Sequence, residues 1–159
     1  MKKNRGVLYI IFLLVSFESY ASSSAGLDLK ATVPAIYDLQ MTALNASTSL
    51  DILKGNKGTL VARTVEICNA PEGYDVWATS QNNGQLRSGD SNAIKTSYTI
   101  RYSSGVYRAL TTTPQIVYTI SALSKMTKTT QNININVSAL PNASAGIYSD
   151  VVTFIIQAR

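Results

Sequence analysis

The residues from Gly146 to Arg159 constrain the fold of this chain more than any other stretch. A glycine that can turn the backbone freely is followed by Ile147-Tyr148-Ser149-Asp150-Val151-Val152-Thr153-Phe154-Ile155-Ile156-Gln157-Ala158-Arg159, where β-branched and aromatic residues dominate and no Gly or Pro intervenes. This predicts one long strand. Alternate positions put Tyr148, Val152, Phe154, Ile156 and Ala158 on one face, with Ser149, Thr153 and Gln157 on the other. So apolar a strand must be covered on one face and paired along both edges, because a half-paired one is an aggregation site.

A second segment complements it. In Leu27-Asp28-Leu29-Lys30-Ala31-Thr32-Val33, the residues Leu27, Leu29, Ala31 and Val33 alternate with Asp28, Lys30 and Thr32, so one face wants a core and the other wants water. A bare apolar strand near one end and a detachable amphipathic strand near the other are the parts needed for strand exchange between neighbouring chains. Pro34 follows, cannot donate to a ladder, and separates this strand from the next.

Residues 1–21 read as a signal peptide. Lys2, Lys3 and Arg5 precede a short apolar run, Val7 to Phe17, and Ser19-Tyr20-Ala21 supplies small residues for cleavage after Ala21, with Ala25 as a second choice. The run is short for a membrane span, and an exported product is expected. About 138 residues then remain, enough for one domain with a single core. We divide them into an amino-terminal extension, 22–34, and a β-domain, 35–159.

Along the β-domain, Ala35 to Leu44 alternates with Ala35, Tyr37, Leu39, Met41 and Ala43 in phase, and Ser49 to Leu53 reads as a short strand. Thr59 to Asn69 is β-rich with Val61, Val65 and Ile67 in phase; Arg63 on the same side implies a rim position or a bulge between Leu60 and Val65. Tyr74 to Ser80 is a strand whose Trp77 is expected in the core. Further strands are expected at Ile94 to Ser103, Val106 to Leu110, Gln115 to Leu123 and Gln131 to Val137. In the last, Ile133, Ile135 and Val137 alternate with Asn132, Asn134 and Asn136. No segment sustains a period near 3.6 with helix caps, so the fold class is all-β, a sandwich of short strands and turns.

The chemistry is as telling. The chain contains no histidine, which removes the commonest general base and neutral metal ligand, and its single cysteine can form neither an internal disulfide nor a thiolate site. Cys68 reads as a small buried hydrophobe. Carboxylates are scattered, and no phosphate-cradling glycine loop or nucleophile elbow is present, so we expect no enzyme, no cofactor and no metal. Without Lys2, Lys3, Arg5 and Glu18 the balance of +5 falls to +3, carried by singly scattered lysines and arginines, which argues against a nucleic-acid footprint.

Two segments carry a family resemblance. Leu27-Asp28-Leu29-Lys30-Ala31-Thr32-Val33-Pro34-Ala35-Ile36-Tyr37-Asp38-Leu39 resembles the donor strand, proline and first body strand of the disulfide-free colonisation-factor branch of chaperone-usher pilins. Ala145-Gly146-Ile147-Tyr148-Ser149-Asp150-Val151-Val152-Thr153-Phe154 resembles the ending common to such pilins and to spore-coat-U-like surface proteins. The resemblance implies an immunoglobulin-like sandwich lacking its last strand. It also implies a periplasmic chaperone bound along Tyr148, Val152, Phe154, Ile156 and Ala158, holding the terminal carboxylate of Arg159. An outer-membrane usher would then exchange that chaperone for Leu27, Leu29, Ala31 and Val33 of the next subunit. The product would be a fimbrium at the bacterial cell surface, built from copies of this chain or sibling pilins and supporting adhesion to a host receptor. The other reading is a non-polymerising secreted module whose Tyr- and Asn-rich loops, Asn82 to Asp90 or Tyr98 to Tyr107, bind a carbohydrate or protein.

Overall fold

The computed structural model describes residues 25–89 and 94–159, so the signal peptide lies outside the described residues. Regular structure comprises β1 (Tyr37–Ala43), a 3-10 turn (Asn45–Thr48), β2 (Asn56–Cys68), β3 (Tyr74–Ser80), β4 (Gln85–Ser88), β5 (Lys95–Tyr102), β6 (Gln115–Ile120), β7 (Thr127–Val137), β8 (Tyr148–Ser149) and β9 (Val152–Ala158). Two compact units divide at Thr32 and Val33. In the first, the described residues form no strand, and Leu27 and Leu29 are 82% and 87% exposed. The second unit is the folded body.

That body is an all-β sandwich of two antiparallel sheets. One antiparallel sheet has the order β1-β2-β7-β5-β4-β8 and the other β6-β3-β9. Where the alternation is strict, it becomes the inside and outside of a sheet: Tyr98, Ile100 and Tyr102 of β5 and Ile133, Ile135 and Val137 of β7 are buried. The sheets meet through the ring of Tyr102, whose centroid is 5.7 Å from Phe154 and 5.6 Å from Tyr118. Gly73 makes the turn into β3 at φ +82°, and a Cβ there would fall 2.0 Å from the Ile120 carbonyl oxygen, so only glycine fits.

Several expectations need correction. In β2 the bulge expected between Leu60 and Val65 falls at Val61, where the ladder to β7 slips between Leu60 and Ala62, but the phase reverses beyond it and takes Val65 and Ile67 out of the core. Ala62, Thr64, Glu66 and Cys68 therefore face inward, while Val65 and Ile67 face out and are only half-buried. Glu66 has no exposed surface; its carboxylate accepts from Tyr74 Oη at 2.6 Å, from Tyr102 Oη, and from Thr129 Oγ1 at 3.3 Å. These hydroxyls replace the lost water. Burial, and next the bond to Glu66, push the Tyr74 and Tyr102 phenols well above their usual range.

Trp77, expected in the core, sits half-buried on the outer face of β3, because Tyr74, Val76, Ala78 and Ser80 take the inner positions. In β6 the ladder to β3 slips between Val76 and Trp77, so Val117 is buried and Ile116 is turned outward. Ser49 to Leu53 and Val106 to Leu110 form no strands; the latter contributes one isolated bridge, Ile100 to Arg108. Finally, the stretch after Gly146 is two strands in different sheets, β8 against β4 and β9 against β3.

Candidate functional site

The two sheets end on unpaired edges that lie side by side. β1 pairs only with β2 and β9 only with β3 among the described residues, so each leaves one row of backbone N–H and C=O groups without a ladder partner. Between them runs an apolar groove of about 360 Å³, lined by Met41 and Ala43 of β1, Leu50, Val61, Leu86 and Ile135 along its floor, and Val152 and Phe154 of β9. It continues past Leu50 and Leu86 into a second hollow of about 490 Å³ lined by Ile52, Ile147 and Tyr148. Met41 is in phase with the half-buried Tyr37 and Leu39, yet is 48% exposed because it opens onto the groove. The inward faces of both strands are built for a core that the chain leaves open along this line.

Asp150 shapes the groove. It occupies the crossing between β8 and β9, and its carboxylate accepts from Ser80 Oγ at 2.5 Å, Tyr98 Oη at 2.6 Å, Val151 N at 2.7 Å and Asn82 N at 2.9 Å. Ser80 belongs to one sheet and Tyr98 to the other, so a single carboxylate fixes the distance between them at one end of the groove. Burial, and next the bond to Asp150, raise the Tyr98 phenol above its usual range. Such charge-assisted bonds are the strong ones. Asp150 sits at the break in the terminal stretch, between the end of β8 and the start of β9.

The candidate residues separate accordingly. Val152 and Phe154 line the groove, while Tyr148 lines its extension from the other sheet. Ile156 packs against the core, Ala158 opposes Tyr74 in the ladder, and the Arg159 guanidinium lies 3.9 Å from Asp75. Leu27, Leu29 and Ala31 belong to the first unit and are exposed; Val33, at the start of the body, is 81% exposed. The body is gripped immediately afterwards, where the Asn69 amide donates to the Pro34 carbonyl at 2.9 Å and accepts from Ile36 N at 2.7 Å. Leu50 and Leu86 were invisible as groove residues because they come from a turn and a four-residue strand with no extended alternation. Asp150 had a signal, a lone carboxylate within an apolar run.

Among the described residues, no group of three or more His, Cys, Asp and Glu side chains could hold a metal. Cys68 is a free, fully buried thiol.

No protein-family profile matches this sequence, and no curated protein matches it. Among solved structures, the fold is similar to the crystal structure of the E. coli Hda pilus minor tip subunit, HdaB. The TM-score is 0.38 at 17% identity, over 75% of this chain and 79% of that one. A likeness at this level leaves the functional reading to rest on the groove itself.

Proposed function

We propose that this chain is a structural subunit of a chaperone-usher surface fimbria, polymerising by donor-strand complementation and supporting adhesion. The observation that carries the reading is the apolar groove between the unpaired edges of β1 and β9. A strand laid in it satisfies two rows of backbone groups and covers an open core in one step.

The chain encodes a strand of the right kind. β9 spans 7 residues, Val152–Ala158, and Leu27–Val33 has the same length, about 24 Å when extended. Leu27, Leu29, Ala31 and Val33 of one subunit would enter the groove of the next, leaving Asp28, Lys30 and Thr32 in water. Burying the two leucines and the valine is worth about 5–9 kcal/mol as an upper figure. Before assembly a periplasmic chaperone would occupy the same edge along Val152, Phe154, Ile156 and Ala158, and an outer-membrane usher would catalyse the exchange. A self-contained secreted module would instead close this edge with its own chain.

The test is deletion of residues 22–33. The shortened subunit should co-purify with a co-expressed periplasmic chaperone and yield no fibres by electron microscopy. Appending Leu27–Val33 after Arg159 through a flexible linker should give a soluble monomer that no longer needs the chaperone. Normal fibres from the deleted chain would sink the proposal.

A further inference from the structure

The outer face of the six-stranded sheet carries a feature that polymerisation does not use. β5 and β7 turn Lys95, Ser97, Thr99 and Arg101 and Lys128, Thr130, Asn132, Asn134 and Asn136 outward, with no acidic residue among them. In the ladder Arg101 stands opposite Asn134. Beside this pair is a polar hollow of about 450 Å³, within the size of small-molecule sites, lined by Arg101, Ser103, Ser104, Thr130, Asn132 and Asn134.

Arg101 is held but not neutralised. Its guanidinium carbon lies over the Tyr107 ring, 4.9 Å from the centroid, a cation–π contact that helps to hold it. Its Nε is covered and has no acceptor, and no carboxylate pairs with it among the described residues. A partly desolvated cation without an internal counter-ion is suited to an external anion. Ser103 adopts φ +55°, unusual for a residue other than glycine, and its N–H donates to the Asn132 carbonyl at 2.8 Å, tying the serine turn to β7. The two asparagines differ: Asn134 donates to the Gly58 carbonyl at 3.0 Å, while the exposed Asn132 amide makes no side-chain bond among the described residues.

We propose that this hollow binds an acidic saccharide, with Arg101 pairing the sugar carboxylate and Asn132, Ser103 and Ser104 bonding its hydroxyls. Arg101 is the one cation lining the hollow, with Arg63 opposite Asn132 at its border on β2, and this sparse positive charge among neutral amides and hydroxyls fits a ligand with few negative charges and many hydroxyl groups. A phosphate polymer would call for several clustered cations. The site lies outside the groove, so it stands whether or not the chain polymerises.

The full-length protein is titrated with sialyllactose, glucuronate and lactose, followed by ligand-observed NMR. At least one of the two acidic sugars should bind about tenfold or more tightly than lactose, and which one does so identifies the position of the carboxylate. Arg101→Gln should lose about tenfold or more of that affinity. Arg101→Lys should fall between, keeping the charge without the fork. Asn132→Ala removes an amide without internal partners, keeps the fold by circular dichroism, and should lose several-fold. Lys128→Gln, on the same face outside the hollow, should change nothing. The proposal is overturned by equal binding of lactose, by no binding of either acidic sugar, by unchanged affinity in folded Arg101→Gln or Asn132→Ala, or by an equal loss in Lys128→Gln.

Discussion

Replacing Asp150 with alanine tests how the two sheets are held apart beside the groove. The substitution removes the acceptor of four hydrogen bonds, two from backbone N–H groups and two from the hydroxyls of Ser80 and Tyr98. Those two residues are 1% and 2% exposed, so water does not readily replace the carboxylate. Ser80 Oγ still accepts from Gly84 N at 2.7 Å, but both hydroxyls lose their anionic acceptor. At about 1–3 kcal/mol for each buried donor left without a partner, Asp150→Ala should cost about 2–6 kcal/mol, a large share of a typical domain's stability. Asp150→Asn keeps the shape and one acceptor oxygen and should cost about half as much. Urea unfolding followed by Trp77 fluorescence measures both. Tyr98→Phe completes the cycle: its cost should shrink in the Asp150→Ala background by about 1 kcal/mol or more, because the partner has already gone. A cost below about 1 kcal/mol for Asp150→Ala, or strict additivity with Tyr98→Phe, refutes the assignment of Asp150 as the tie between sheets.

Two further outcomes are expected. Leu29→Asp should weaken fibre assembly far more than Lys30→Asp, since only the former carries a charge into the groove; equal losses in a polymerisation assay would show that the donor face is misassigned. Alkaline stability should follow the tyrosines: Tyr74, Tyr98 and Tyr102 hold their protons in the folded state beyond the ordinary phenol value of 10.0. Below that pH both states are protonated and the contribution is fully present; above it the unfolded chain ionises first, and stability falls as pH rises. A denaturation midpoint that stays level from neutral pH well past 10.0, with phenolate absorbance rising in the native protein, would contradict the buried positions of these hydroxyls.

Period-two alternation was sufficient for much of the fold. Lys95–Tyr102 and Gln131–Val137 have interiors that can be read from the chain, because a strand with one wet face has only one phase that buries its apolar side chains. The apolar character of Val152 to Ile156 was legible in the composition, whereas Leu27 to Val33, read as an amphipathic strand, forms no strand and leaves Leu27, Leu29 and Val33 exposed. Tertiary structure decided the rest. One extra residue at Val61 turned Thr64 and Glu66 inward and Val65 and Ile67 outward; the misplaced Arg63 hinted at a bulge between Leu60 and Val65, but only the partner strand shows that it is present and where it falls. Trp77 lies outside because its neighbours in the ladder, not its hydrophobicity, set its face. The groove needed β1 and β9, more than a hundred residues apart, to be brought edge to edge, and Asp150 needed Ser80 and Tyr98 to reach it from opposite sheets. Local pattern determines which side chains want a core; only long-range pairing determines which edges remain without a neighbour.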